Sequence, residues 1–219
     1  MKVKVNYRNN IQKEKVFTHF RNLDDYNLCV QVPNLNKFID KYYDIIENDF
    51  TAFGYLFHLY TDKMFFDNLF NDTFEFLDKN GNKTIYSNEA VIIKIKKNNL
   101  LYKSSDFWNG DNPVSIYHDY TVMNKMLLEY YGTSFDEDEY MAFVPFFKNP
   151  GIEEVDYKNV RDVIKNTASY IKESCLEKSN VLNVFDKNKV VSFIDEISEN
   201  FLMNYYNQIP LKNKKILKK

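Results

Sequence analysis

Apolar positions along this chain change their period several times, and each change predicts an element. In "KVKVNY" the residues Val3, Val5 and Tyr7 alternate with polar ones, the period-two pattern of a half-buried strand, and "NLCVQV", ending at Pro33, reads as a second strand. After Asn34, placed to cap a helix, Leu35, Phe38, Ile39, Tyr42, Ile45 and Ile46 recur at helical spacing, predicting a first helix to about Asn48. From Phe50 to Phe70 the apolar residues cover more than one helical face. A buried central segment is expected there, as two helices broken near residues 61 and 62.

The period then returns to two. "TFEFLDKNGNKTIYS" alternates on both sides of Asn80 and Gly81, which tolerate positive φ and so predict a hairpin, and "AVIIKIKKNNLLYKS" predicts a strand pair turning at Asn98 and Asn99. Together they give an antiparallel meander over residues 73–104. "SDFWNGDNPVS" reads as an irregular loop around Trp108, with any sub-boundary near 105–115. Beyond it, Tyr120, Met123, Met126, Leu127 and Tyr130 predict a helix from near Asp119 to a stop at Gly132. "YMAFVPFF" reads as a short strand that Pro145 confines to an edge. Val160, Val163, Ile164, Thr167, Ile171 and Cys175 predict one further helix, and Val190, Ile194, Ile197, Phe201, Leu202 and Tyr205 another, capped by Asp186 and ended by Pro210. The expected fold class is α+β: a small antiparallel sheet packed with about five helices, the C-terminal half mainly helical. One domain is expected over residues 1–210, followed by a basic tail, 211–219, with too little apolar surface to anchor it.

Composition sharpens this in three ways. The 17 Tyr and 19 Phe predict an aromatic core, and with abundant Asn and Lys they point to an AT-rich genome. Five of the 29 basic residues lie in the tail, so residues 1–210 carry 24 against 31 acidic ones, a net charge of −7. Arg8, Arg21 and Arg161 are the only arginines, few for a protein that reads guanine or phosphate with guanidinium forks. Cys29 and Cys175 are far apart and stand in no Cys/His cluster, so they read as buried free thiols. No stretch approaches the roughly 18 apolar residues of a membrane span, and the first ten residues have no apolar core of a signal peptide; a cytoplasmic protein is expected.

Candidate chemistry is sparse. Asp136, Glu137, Asp138 and Glu139 form an acidic run followed by Tyr140. In an extended segment Asp136 and Asp138 share a side and offer a pair for Mg²⁺, but no Gly-rich phosphate cradle accompanies them. The run reads as a solvated turn, and Asp136, Glu137, Asp138, Glu139 and Tyr140 as a docking patch for a basic protein surface. His58, in "YLFHLY", reads as a core histidine. His118, followed by Asp119, is a general-base candidate that with Asp136 and Asp138 supports an alternative reading as a metal-dependent phosphoryl-transfer enzyme or nuclease. In "AVIIKIK", however, Ile92 occupies the place where a nuclease acid would precede Lys94. Lys94, Lys96, Lys97 and Lys103 offer a phosphate-tracking face and hence a nucleic-acid-binding alternative, although lysines on an exposed sheet face also block edge pairing.

With no complete catalytic set and no metal or cofactor signature, a role by contact is expected. The reading is a non-enzymatic protein-binding factor of phage or mobile-element type that inhibits a host protein such as a defence nuclease, in the manner of anti-CRISPR or other anti-defence proteins.

Overall fold

The computed structural model describes residues 16–206 except 111, 113 and 156. The strand expected at Val3, Val5 and Tyr7, the stop at Pro210 and the basic tail lie outside the described residues.

Capping residues set the helix starts. The Asn34 side chain accepts the Lys37 N–H at 3.0 Å and opens α1, Leu35–Asn48, which buries Leu35, Phe38, Tyr42 and Ile46. Asp49 then accepts the N–H groups of Thr51 and Ala52 and opens α2, Phe50–Met64. The break expected near residues 61 and 62 does not occur, since no Gly or Pro stands there to make one. Instead the helix widens into a π-helical turn, Phe65–Phe70. One extra residue per turn rotates the following side chains by about 100° relative to an α-helix. Leu56, Leu59 and Tyr60 thereby face one apolar cluster, and Leu69 and Phe70 face another.

Three strands follow: β1 Phe74–Leu77, β2 Ile92–Ile95 and β3 Leu100–Lys103, antiparallel in that order. Phe74 lies opposite Ile95 and Ile92 opposite Lys103; Asn99, at φ 58°, makes the turn between β2 and β3. At the Asn80–Gly81 turn the Asp78 carboxylate accepts the N–H groups of Asn80 and Asn82, and Gly81 takes φ 81°. Its returning limb touches β1 through one bridge, Leu77 to Lys83, so the ladder partner of β1 is β2. "NLCVQV" is not a strand. It contributes a single bridge, Leu28 to Tyr86, because the preceding 3-10 turn, Leu23–Asn27, ties the Asp25 and Leu28 amides to local carbonyls.

Most of the described residues that follow are helical. Ser115 accepts the His118 N–H, so α3 spans Ile116–Tyr131, three residues earlier than expected at its start; Gly132, at φ 61°, closes it in the left-handed region. "YMAFVPFF" is helical and not a strand: α4 covers Glu137–Phe143 and a 3-10 turn covers Val144–Phe146, where Pro145 sits at the start and needs no amide hydrogen. Then come α5, Val160–Leu176, and α6, Lys187–Phe201, the latter capped by Asp186 and continued as a π-helical turn, Leu202–Tyr206. The fold class is α+β with a mostly helical C-terminal half.

Among the described residues two aromatic-rich clusters form the core. One joins Phe20, α1, α2, Ile152 and the end of α6; the other joins the sheet, Phe107, Ile116, Met123, Val184, Phe185 and the start of α6. Phe193, partly buried on α6, packs against both. Among the described residues no helix is long and apolar enough to cross a membrane.

Candidate functional site

The acidic run is not extended. Asp136 stands just outside α4, and its Oδ1 accepts the N–H groups of Asp138 at 2.9 Å and Glu139 at 3.2 Å, which makes it the cap. Glu137, Asp138 and Glu139 fill the first turn, where the positive end of the helix dipole favours carboxylates. Asp136 is thus engaged as the cap, and the extended segment expected to set Asp136 and Asp138 on one side is replaced by a helix start.

Beside this cap lies an apolar groove of about 470 Å³, lined chiefly by Leu128, Gly132, Phe135, Ile171, Cys175 and Leu176. A polar recess of about 280 Å³ adjoins it, shared by Phe135, Asp136, Glu137, Asp138 and Lys172. Phe135 stacks on Tyr140, ring centres 4.5 Å apart and planes 12° apart, so the acid-bearing turn is fastened to the groove wall. Glu137 reaches Lys172 of α5 at 3.9 Å. Phe146 and Leu176 are each 80% exposed, and Tyr140 and Phe143 are also exposed. The site is thus an apolar floor with an acidic rim.

Cys175 opens onto this groove and is exposed, contrary to its expected place on a buried stripe. The reason is the rotation of α5: it presents small residues, Ala168 and Ser174, to its neighbour, and Asn124 of α3 bonds Ser174 Oγ at 3.3 Å. Val163 and Cys175 turn outward as a result. Cys29 is part-buried, and its thiol is pushed up to about 11, chiefly by burial, so it is a poor nucleophile.

His118 and Asp119 do different work from that expected of a base and its partner. Asp119 is fully buried; one oxygen accepts the Asn183 N–H at 2.9 Å, the other those of Val184 at 2.8 Å and Phe185 at 2.9 Å. It is a clamp on that loop. His118 sits in the first turn of α3, whereas Asp136 and Asp138 lie beyond its last residue in the recess with Lys172. The helix alone puts about 20 Å between its two ends. Among the described residues, His118, Asp136 and Asp138 do not form a metal-ligating group.

The meander lysines are largely occupied within the fold. Lys94 lies 3.7 Å from Glu75. Lys96 Nζ donates to the Asn71 carbonyl at 2.6 Å, and Lys97 Nζ to those of Leu182 and Phe185 at 3.4 and 2.9 Å. Lys103 is exposed on the edge strand. Lys97 and Asp119 therefore hold the same loop from opposite sides, one by its carbonyls and one by its amides.

Histidine chemistry gathers elsewhere. His58 is exposed and not a core residue, because α2 buries Leu56, Leu59 and Tyr60 and turns position 58 outward. Asp62 follows one helical turn later on the same face. His19, in the segment before α1, approaches from outside: Nε2 lies 3.2 Å from Asp62 Oδ2, Nδ1 lies 2.9 Å from Thr18 Oγ1, and its ring meets His58 edge-on at 5.2 Å. Tyr55 fixes the segment by donating its hydroxyl to the Thr18 carbonyl. One donor atom from each of His19, His58 and Asp62 lies within 4.8 Å of the others. The buried Arg21 guanidinium, its pKa lowered by desolvation and partly restored by Asp62, adds a positive charge nearby. The i, i+4 spacing of His58 and Asp62 is visible in the sequence; the approach of His19 is not.

Compared with protein-family models, with curated proteins and with solved structures, the chain matches none.

Proposed function

We propose that this protein acts by contact, as a non-enzymatic cytoplasmic factor that docks an apolar, basic-flanked segment of another protein in the groove between α3, the loop of residues 132–135 and α5. The observation that carries the reading is the pairing of an exposed apolar floor, in which Leu176 is 80% exposed, with the adjoining recess that holds Asp136, Glu137 and Asp138. Exposed aromatic and aliphatic anchors ringed by polar residues are a common interface arrangement. Carboxylates held at a helix start favour a partner bearing Lys or Arg. A host defence nuclease, whose own substrate is an anion, presents such a basic surface; inhibition by covering it is the role we assign, with a mobile-element source.

The acidic body, −7 over residues 1–210, supports the same direction of complementarity. The test is charge reversal that spares the cap. Asp138→Lys with Glu139→Lys is expected to reduce capture of the partner at low salt by at least about tenfold and to flatten its salt dependence. Capture unchanged in amount and in salt response removes the acidic rim from the reading.

A further inference from the structure

The second cluster of chemistry-bearing side chains lies away from the groove. We infer that His19, His58 and Asp62 form a Zn²⁺ site with three protein ligands and a fourth position open to solvent.

Three features support this. The donor set is two imidazoles and one carboxylate, which suits a borderline first-row ion over Mg²⁺ or Ca²⁺, both of which prefer all-oxygen shells. The spacing fits as well. With bonds near 2.0–2.1 Å a tetrahedral ion holds its ligand atoms about 3.3 Å apart; His19 Nε2 and Asp62 Oδ2 are 3.2 Å apart, and all three donors lie within 4.8 Å of one another, close enough for one ion to draw them together. Finally, His19 has an outer partner in place: Thr18 Oγ1 lies 2.9 Å from Nδ1, and with the proton on Nδ1 it accepts that N–H and leaves the Nε2 lone pair toward the carboxylate. In that tautomer the two lone pairs face each other and call for a cation between them.

A proton on His19 Nε2 meets that requirement too, and it is the competing account of the 3.2 Å contact. It does not use His58. The His58 ring nitrogen, brought to the same point by the i, i+4 geometry of α2, is what distinguishes a three-ligand metal site from a two-residue ion pair. Arg21 works against the metal by sharing the Asp62 charge, so the ion binds without the depth of a four-ligand structural site. Bound metal would fasten the segment that carries Thr18, His19 and Phe20 onto α2, and Phe20 belongs to the first apolar cluster.

The experiment is titration of the tag-free, chelator-treated chain with Zn²⁺ by calorimetry, repeated with His58→Ala and His118→Ala and paired with thermal melts with and without the ion. One equivalent per chain is expected for the wild type and for His118→Ala, with a higher melting temperature when the ion is present. His58→Ala is expected to lose at least about tenfold in affinity and to show no rise in melting temperature when the ion is added, read against its own metal-free melt. Absence of stoichiometric binding, or equal affinity in wild type and His58→Ala, overturns the site.

Discussion

Asp119 places both oxygens of one carboxylate on three consecutive amides, those of residues 183 to 185, and so fixes Val184 and Phe185 in the second cluster. Hydrogen bonds to a buried charge are the costly ones to lose, and an amide in its place turns a donor toward a donor. Asp119→Asn is expected to lower stability by about 3 kcal/mol, read as a reduced urea midpoint. Nothing in the sequence around "IYHDY" announces this, because the three partners lie more than sixty residues away; the polar residue inside an apolar stripe was the only local sign. A second residue-scale prediction concerns pH. Glu154 is pushed up by burial, but hydrogen bonds from Lys41 and Tyr42 outweigh that and hold it below the ordinary glutamate value. Its folded pKa is thus lower than its unfolded one, so the stability it contributes is complete above the unfolded value, near 4.3, and is lost as pH falls through the lower folded value. Replacing Glu154 with Gln is expected to make the urea midpoint fall less steeply as pH drops from about 6 to about 3.

Among the elements, those with a cap and a long periodic stripe were legible: Asn34 and α1, Gly132 and the end of α3, Asp186 and α6 all sit where spacing and cap chemistry put them. Short apolar runs were not. "YMAFVPFF" and "NLCVQV" are consistent with a strand or a helix by periodicity alone, and the deciding facts were an aspartate cap for one and a competing 3-10 turn for the other. The π-helical turn at Phe65–Phe70 leaves no periodic trace, since its effect is to move an apolar face from one cluster to another. For α4 the capping role of Asp136 carries a prediction. Asp136→Ala removes the acceptor for two amides and is expected to cost about 1 kcal/mol, seen as faster hydrogen exchange over residues 138–143, whereas Asp138→Lys leaves the cap in place. The two variants separate a loss of helix from a loss of charge.

At the scale of the whole molecule, the two clusters share α6 and the helix that runs from α2 through the π-helical turn, and the sheet is a small wall of the second cluster. The acidic run was legible in the sequence, but its apolar neighbour was not: Leu128, Ile171 and Leu176 come from two helices and form a groove only when α5 packs on α3. Together the groove and its rim carry the claim that this protein works by contact. The most direct measurement is quantitative capture of a binding partner by the wild type and by Leu176→Asp, with both proteins shown to have the same melting temperature; because Leu176 is 80% exposed, the variant is expected to fold normally. The account predicts a partner retained by the wild type and at least about tenfold less of it on Leu176→Asp, as expected when an anchor in an interface is replaced by a charge. Equal retention of the same partner by both proteins would contradict it.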